Sequence, residues 1–243
     1  RQIRFVGLQH YSNALSNPVV RQSLVRSLQY SAMVVIFMVV AALLLAVMLN
    51  SLFAMRTTSR TLLFLPYVTN IIAIGMVWSA VLNPEFGPVN TLLRNLGVPD
   101  AYLPRWLLGT DTALATVAVI RVWKGLAMPI LVLLAALQDV SPDLSDAATM
   151  DGAGPFRRFQ AVTLPSISPA LFFVTVVTLI DSFKAYDIMK ALTNGGPGVA
   201  TRVMAVEIYE QAFTFYRFAM ASAEAIILFG VVLLITIVQW WGQ

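Results

Sequence analysis

An uncharged apolar stretch at residues 31–49 is the feature that most limits what this chain can fold into. A helix needs about 20 apolar residues to cross a hydrocarbon layer roughly 30 Å thick, and it satisfies its own backbone hydrogen bonds there. The chain of 243 residues is 58% hydrophobic and 12% charged, whereas soluble domains are about 45–50% apolar and 25% charged. The sequence therefore predicts a membrane protein.

Five segments meet or approach the length of a membrane span. Pro66, Asn70 and Gly75 in the second segment indicate packing against neighbouring helices, and Trp240 and Trp241 are typical of an interfacial anchor. The sequence thus predicts an all-α, polytopic transmembrane helix bundle that forms one domain over residues 1–243. The predicted spans are residues 31–49, 62–82, 112–137, 169–192 and 218–241.

The connections between these spans alternate sides of the membrane. Residues 1–26 are interpreted as polar and turn-rich and 83–110 as rich in Pro and Gly, while 193–217 begins with a flexible turn signal at 194–198. The segments 51–61 and 138–166 share a side with the C-terminus. Four arginines lie on that side and eight on the other, so the positive-inside rule does not decide the orientation. The chain starts without Met, and we expect its natural N-terminus upstream.

Several functional classes are excluded by what the sequence lacks. Cysteine is absent and His10 is the single histidine, which excludes a disulfide framework, a thiolate metal site and a histidine cluster. The net charge of +4 is spread along the chain, so no nucleic-acid footprint is visible. Without a G-x-x-x-x-G-K-[ST] loop or a hydrolase motif, we expect no catalytic residue, no metal site and no cofactor in this chain.

A polar, glycine-containing loop separates the third and fourth spans. Pro142 and Asp143 are typical of a helix start, which predicts a helix over residues 143–150. Gly152 permits a sharp bend, and Pro155 opens a second helix that Pro165 stops. The sequence therefore predicts a helix-turn-helix with a small face at Ala147 and Ala148. The alternative is an ordinary interfacial loop.

The string D-A-A-T-M-D-G at 146–152, with V-T-L-P at 162–165, resembles the E-A-A-x3-G-x9-I-x-L-P loop of permeases in binding-protein-dependent ABC importers. Asp146 and Val162 replace the usual Glu and Ile, while His10 and Ala219 stand where Asn and Gly are common. Further segments resemble the sugar-type branch, which includes the larger membrane subunit of maltose-type and glycerol-3-phosphate-type transporters. They are residues 5–9 with Tyr11, 65–67 with Gly75 and Trp78, 86–90, 122–124, 192–197 with 200–201, and 221–223.

This resemblance implies the ABC importer permease fold, with a further span ahead of residue 5, in a bacterial or archaeal cytoplasmic membrane. The chain would form half of the pathway for a sugar or a polyol phosphate. Its partners would be a second homologous permease, two subunits that bind ATP and Mg, and an extracytoplasmic solute-binding protein. The loop at 139–166 would be cytoplasmic and would couple to the ATPase through Asp146, Ala147, Ala148, Asp151, Gly152, Ala153, Leu164 and Pro165.

Charged residues inside spans are costly and mark either a solute pathway or a buried pair. By offset from Asp146, the resemblance places solute contacts around Arg121, Lys124, Gly125, Met128, Thr178, Asp181, Ser182 and Ala185. In that interpretation Trp123, Phe183 and Tyr186 offer ring faces to a sugar, and the two cations also suit an anionic solute. The alternative is charge neutralisation, by an Arg121–Asp181 pair and by Asp187 with Lys184 and Lys190.

Two other transporter classes compete with an ABC permease. An ion-gradient-driven secondary transporter would use Asp181 and Asp187 as ion sites, but it predicts inverted repeats that the five spans do not show. An ion channel would need a repeated filter or a pore ring. Glu224 in the last span is expected to pair across a subunit interface.

Overall fold

The computed structural model describes residues 6–51 and 64–241, which form helices and turns. The described residues divide into two compact units, the first from residues 6–33, 70–120 and 180–241, the second from 34–51, 64–69 and 121–179. Residues 64–68 are also helical. The all-α prediction is confirmed for this part of the chain.

The helices are α1 Gln9–Ser16, α2 Pro18–Ser51, α3 Ile71–Val81, α4 Pro88–Asn95, α5 Ala113–Gly125, α6 Ala127–Gln138, α7 Pro142–Met150, α8 Pro155–Ser166, α9 Ser168–Phe183, α10 Tyr186–Leu192, α11 Met204–Tyr209 and α12 Phe218–Trp241.

Two of the described helices, α2 and α12, are long and apolar enough to cross a membrane alone. Two further candidates are bent pairs, since α5 meets α6 at 53° and α8 meets α9 at 66°. Helix α3 is apolar but short. Length and composition therefore support up to four spans in the described residues, and the predicted count of five stays a prediction.

The first helices correct the interpretation of residues 1–26 as a turn-rich connection. Helix α1 forms at Gln9, and α2 begins at Pro18, well before the apolar stretch. The side-chain oxygen of Asn17 accepts a hydrogen bond from the backbone N–H of Val19 at 2.9 Å. Asn before a proline at the first helical position is a strong helix start, so polar residues such as Arg21 belong to the same helix as the span.

Three of the predicted spans are interrupted within their length. The second begins outside the described residues at 62–63, and its helix stops before Asn70, whose side chain caps α3 by accepting from Ile72 N–H at 2.8 Å. Asn competes with the helix backbone in this way. The third breaks at Leu126 and the fourth at Lys184, whose carbonyl accepts from Tyr186 N–H in a tight turn at 2.7 Å.

The connections hold more structure than their Pro and Gly content indicates. Within 83–110, the buried amide of Asn90 donates to the carbonyls of Pro84 and Pro104 and accepts from the Trp106 indole at 2.7 Å. After the turn signal at 194–198, the segment 193–217 contains α11 followed by a π-helical segment at Glu210–Thr214. The connection 51–61 lies, beyond Ser51, outside the described residues.

Each unit has its own apolar core. In the second unit α2, α6 and α9 bury Ala42, Leu133 and Val174 together with Ile167. In the first unit, α1 and the start of α2 bury Ala14 and Val20 against Met204 of α11. These cores fix the helices that carry the functional segments.

Gly75 allows α3 and α10 to touch through their backbones. A Cβ atom at this position would lie 2.7 Å from the carbonyl oxygen of Ala191, and backbone cannot move aside as a side chain can. We expect Gly75→Ala to destabilise the first unit by about 1–3 kcal/mol through overpacking. Thermal unfolding of the purified protein in detergent measures this as a lower melting temperature.

Gly230 provides the matched control, because it also lies in a helix but a Cβ there would meet no atom within 4 Å. Gly230→Ala should leave the melting temperature unchanged or raise it, since Ala favours a helix over Gly by roughly 1 kcal/mol. Equal effects of the two substitutions would contradict the close approach at Gly75.

Candidate coupling loop and solute pathway

The first half of the polar loop is a helix closed by a glycine. Helix α7 ends at Met150, and Gly152 has a φ of +79°. The N–H of Ala153 donates to the Ala148 carbonyl at 2.9 Å, and the N–H of Gly152 donates to the Thr149 carbonyl at 3.0 Å. These two hydrogen bonds form a Schellman motif, which requires a left-handed residue just past the helix. The predicted bend at Gly152 is confirmed.

The second half of the loop is a helix that ends next to Pro165. Helix α8 runs from Pro155 to Ser166, one residue past Pro165, and a 66° bend leads into α9. The five residues before this turn, Phe159–Thr163, are π-helical. Proline lacks an N–H and clashes with a regular α-helical turn, but the π-helical segment has already shifted the hydrogen-bond pattern ahead of it. The prediction that this helix ends at Pro165, before the next span, is confirmed to within one residue.

The two halves of the loop contact each other and leave much of their surface open. Arg158 of α8 donates through Nη1 to the hydroxyl of Thr149 in α7 at 3.0 Å. Met150 is 88% exposed and Phe156 is 74% exposed. The sequence interpretation missed both, although large apolar residues in a polar loop are a detectable signal. Of the predicted coupling residues, Asp146, Ala147, Asp151, Gly152 and Pro165 are exposed, and Ala148, Ala153 and Leu164 are half-buried.

Two predicted pathway cations lie at the end of α5, just before its break. Lys124 donates to the backbone carbonyl of Tyr67 at 3.0 Å, and its ammonium lies 5.9 Å from the centre of the Tyr67 ring. That carbonyl is in the last turn of the helix at 64–68, where a cation also interacts favourably with the helix dipole. Lys124 thus connects the interruption of the second span to that of the third.

Gly125 lies next to Arg121 on the same helix. A Cβ atom at Gly125 would lie 3.3 Å from Nη1 of Arg121 and 2.7 Å from the terminal methyl of Met38. Met128, on the other side of the break, is 48% exposed, and Thr178 of α9 is buried. The structure therefore places Arg121, Lys124 and Gly125 within one turn of helix in the second unit.

The remaining pathway residues belong to the first unit. The hydroxyl of Ser182 is buried and forms a hydrogen bond with the hydroxyl of Ser31 in α2. Asp181 is exposed, whereas Ala185 is buried at the break between α9 and α10. The Arg121–Asp181 pair stays a prediction. Two of the proposed ring faces are otherwise occupied: Phe183 is buried, and Tyr186 stacks on Tyr209 with ring centres 4.2 Å apart.

The acidic residue of α10 does not bind its neighbouring lysines. The Asp187 carboxylate accepts from the backbone N–H of Ile188 at 2.8 Å. Within the part of the chain that the structure describes, no ion pair joins Asp187 to Lys184 or Lys190. This half of the charge-neutralising alternative is wrong.

A buried ionic cluster in the first unit was not foreseen. Arg202 donates to Glu207 at 2.6 Å and to Glu210 at 2.5 Å, and Gln211 donates to Glu207 at 2.9 Å. Glu207 is 1% exposed. Glu224 of the neighbouring helix α12 is fully buried inside its own chain, so the expectation that it pairs across a subunit interface is wrong.

The chain is similar in sequence to known proteins over most of its length. Residues 38–242 match the family described as the binding-protein-dependent transport system inner membrane component. The probable ABC transporter permease protein YurN of Bacillus subtilis (strain 168) is 30% identical over 237 residues, covering 97% of this chain and 81% of that protein. The sn-glycerol-3-phosphate transport system permease protein UgpA of Brucella abortus biovar 1 (strain 9-941) is 32% identical over 237 residues, with 97% and 80% covered.

Solved structures have the same fold. A chain in the crystal structure of a bacterial alginate ABC transporter, in complex with an alginate pentasaccharide-bound periplasmic protein, matches with a TM-score of 0.85 at 22% identity. The match covers 96% of this chain and 81% of that chain. Together with the sequence relatives, this favours an ABC permease over an ion-gradient-driven transporter. The chain belongs to the family of binding-protein-dependent transport system inner membrane components, the permease subunits of ABC importers.

Proposed function

We propose that this chain forms half of the translocation pathway of an ATP-driven importer for a sugar or a polyol phosphate. The observation that carries the proposal is the glycine-closed loop at 143–165, which presents an exposed surface. The chain belongs to a family of transport components, and its sequence contains no phosphate-binding loop. ATP hydrolysis then occurs in two partner subunits that bind ATP and Mg. A second, similar permease completes the pathway.

The coupling loop faces the cytoplasm in this proposal, and the membrane is the cytoplasmic membrane of a bacterium or an archaeon. Asp146, Ala147 and Ala148 form the small, acid-edged face of α7 that meets the ATPase. The Schellman closure at Gly152 and the Arg158–Thr149 hydrogen bond support a rigid loop, and a rigid loop transmits ATPase closure as a rigid-body displacement. Helices α6 and α9 flank the loop and carry the displacement to the pathway.

The proposed solute class follows from relatives and from charge. The UgpA relatives are described as sn-glycerol-3-phosphate permeases, and two of the matching solved structures are of bacterial ABC transporters for alginate, an acidic polysaccharide. In this chain Arg121 and Lys124 stand at the break of the third span. Broken helices with polar groups at the interruption are the usual framework of a solute site in membranes. A solute with hydroxyl groups and an acidic group suits such a site.

The test is ATP-driven uptake by the reconstituted transporter, with substitutions at Asp146. We expect Asp146→Ala to reduce solute-stimulated ATPase activity at least about tenfold, because truncating a charged group at an interface costs about 2 kcal/mol or more. Asp146→Glu keeps the charge and should retain or raise the activity. Both variants should still bind the solute-binding protein, since that protein docks outside the cell membrane and the loop is cytoplasmic in this proposal.

Glu85→Ala is the matched control, because Glu85 is also an exposed acid but lies on the connection 83–110, outside the coupling loop. It should leave ATPase stimulation unchanged. Full stimulation in Asp146→Ala would remove this carboxylate from the coupling site. Uptake that persists without ATP hydrolysis would reject the importer proposal as a whole.

A further inference from the structure

A polar groove follows the first turns of α2. Two adjoining cavities of about 580 and 490 Å³ share Arg26 and Gln29. One extends to Pro18 and Arg21, and the other reaches Thr110 and Asp111 ahead of α5. All of these residues belong to the first unit. Both cavities are open at the surface and border Arg26 and Gln29, and together we call them the arginine groove.

The arginines of this groove have hydrogen-bond donors to spare. Arg21 is exposed, and its guanidinium has no hydrogen-bond or ion-pair partner among the described residues. Arg26 donates from Nη1 to the Gln29 side chain at 3.1 Å, which uses one of its five N–H groups. Asp111 is the acidic residue that lines the same depression as Arg26. The arginine groove therefore carries a net positive charge with open, fork-shaped donors.

The groove lies beyond the hydrocarbon layer. Helix α2 has 34 residues and is therefore about 51 Å long at 1.5 Å per residue, against a hydrocarbon layer of about 30 Å. With the uncharged residues 31–49 inside that layer, the turns that carry Arg21 and Arg26 project from the membrane. With the five predicted spans and the proposed cytoplasmic coupling loop, these turns lie on the extracytoplasmic side, where the positive-inside rule does not favour arginine.

We propose that the arginine groove is the docking site for an acidic surface segment of the extracytoplasmic solute-binding protein. This rests on the proposed import function. The groove walls come from the start of α2, the residues ahead of α5 and, at Val199, the turn that follows α10. A protein that delivers solute to this bundle has to cover those outer ends. Arginine forks bind carboxylates in bidentate pairs, and rim charges accelerate association.

Asp111 favours a protein over anionic lipid as the occupant. An acidic side chain that lines the same depression as Arg26 repels a uniformly negative headgroup layer, whereas a protein segment can place a donor against Asp111 and carboxylates against Arg21 and Arg26. Gln22 and Gln29 supply amide groups along the same line. A folded partner can match such a mixed pattern residue by residue.

The experiment measures ATPase activity of the complete transporter in nanodiscs of neutral lipid, as a function of the concentration of solute-loaded binding protein. For the double variant R21E/R26E we expect the KM for binding protein to rise about tenfold or more, with unchanged activity at saturation. The milder R21Q/R26Q should raise this KM about threefold. Added salt should raise the wild-type KM more steeply than that of either variant.

Arg105→Glu is the control, since Arg105 is exposed on the connection 83–110 but does not line the groove. Its KM should stay within about twofold of wild type. The proposal is overturned if R21E/R26E and R21Q/R26Q leave the KM unchanged, if R105E has an equal effect, or if the defect appears only in anionic lipid. A wild-type transporter that binding protein does not stimulate would instead refute the import function.

Discussion

Replacing Arg202 with methionine is expected to lower the free energy of unfolding by about 3–5 kcal/mol, because it leaves a buried carboxylate without its cation. Glu207 is 1% exposed and receives hydrogen bonds only from Arg202 and Gln211 among the described residues. Glu210, 19% exposed, also loses its partner. For a protein of this size such a change corresponds to a fall of about 10 °C in melting temperature, measured by thermal unfolding in nanodiscs.

A second variant separates the unpaired charge from lost packing. Arg202→Met combined with Glu207→Leu and Glu210→Gln removes the cation and both acids, and a hydrophobic replacement of a buried ion pair is often neutral or stabilising. We therefore expect the triple variant to recover most of the lost stability. A triple variant no more stable than Arg202→Met would show that Arg202 acts through packing of its aliphatic stem.

The exposed ion pair of the same unit serves as the comparison. Arg94 bonds Asp100 at 2.8 Å, with side chains 37% and 81% exposed. Asp100→Asn should change stability by less than about 1 kcal/mol, the usual range for solvent-exposed pairs. The difference between the two changes in the free energy of unfolding, for Arg202→Met and for Asp100→Asn, measures how strongly burial of an ion pair raises the cost of removing one partner.

Features decided by local sequence were predictable. The uncharged run at 31–49 requires a membrane helix, and Gly152 permits the left-handed turn that the backbone adopts there. Both follow from a few neighbouring residues, because helix length and glycine conformation are local properties. The motif match needed the same local information and correctly placed the chain in its family.

Features decided by tertiary packing were not predictable from the sequence. The buried cluster at Arg202 joins residues five and eight positions apart, a spacing that does not align on one regular helix face. Its burial depends on α12, which is contributed by a later part of the chain. The break at Leu126 differs, because Gly125 precedes it and Pro129 follows it, and a proline has no N–H to donate to the carbonyl four residues earlier.

Met150 and Phe156 were overlooked for a related reason, since apolar residues in a loop are usually assigned to the core. In the structure they are among the most exposed large side chains of the coupling loop.

Aromatic residues and Met are enriched at the centres of protein interfaces, where truncation often costs about 2 kcal/mol or more. The double replacement Met150→Ser with Phe156→Ser should therefore weaken ATPase association at least about thirtyfold, measured by co-purification and by titrating ATPase subunit onto the permease.

Tyr216→Ser provides the control, because Tyr216 is 75% exposed but lies on the connection ahead of α12 and not in the coupling loop. It should leave ATPase association unchanged, which shows that losing exposed apolar surface elsewhere has no effect. The double replacement should not lower the melting temperature of the isolated permease, since neither side chain is part of a core. Normal association of the Met150 and Phe156 variant would show that docking depends on the small polar face at Asp146 and Ala147 alone.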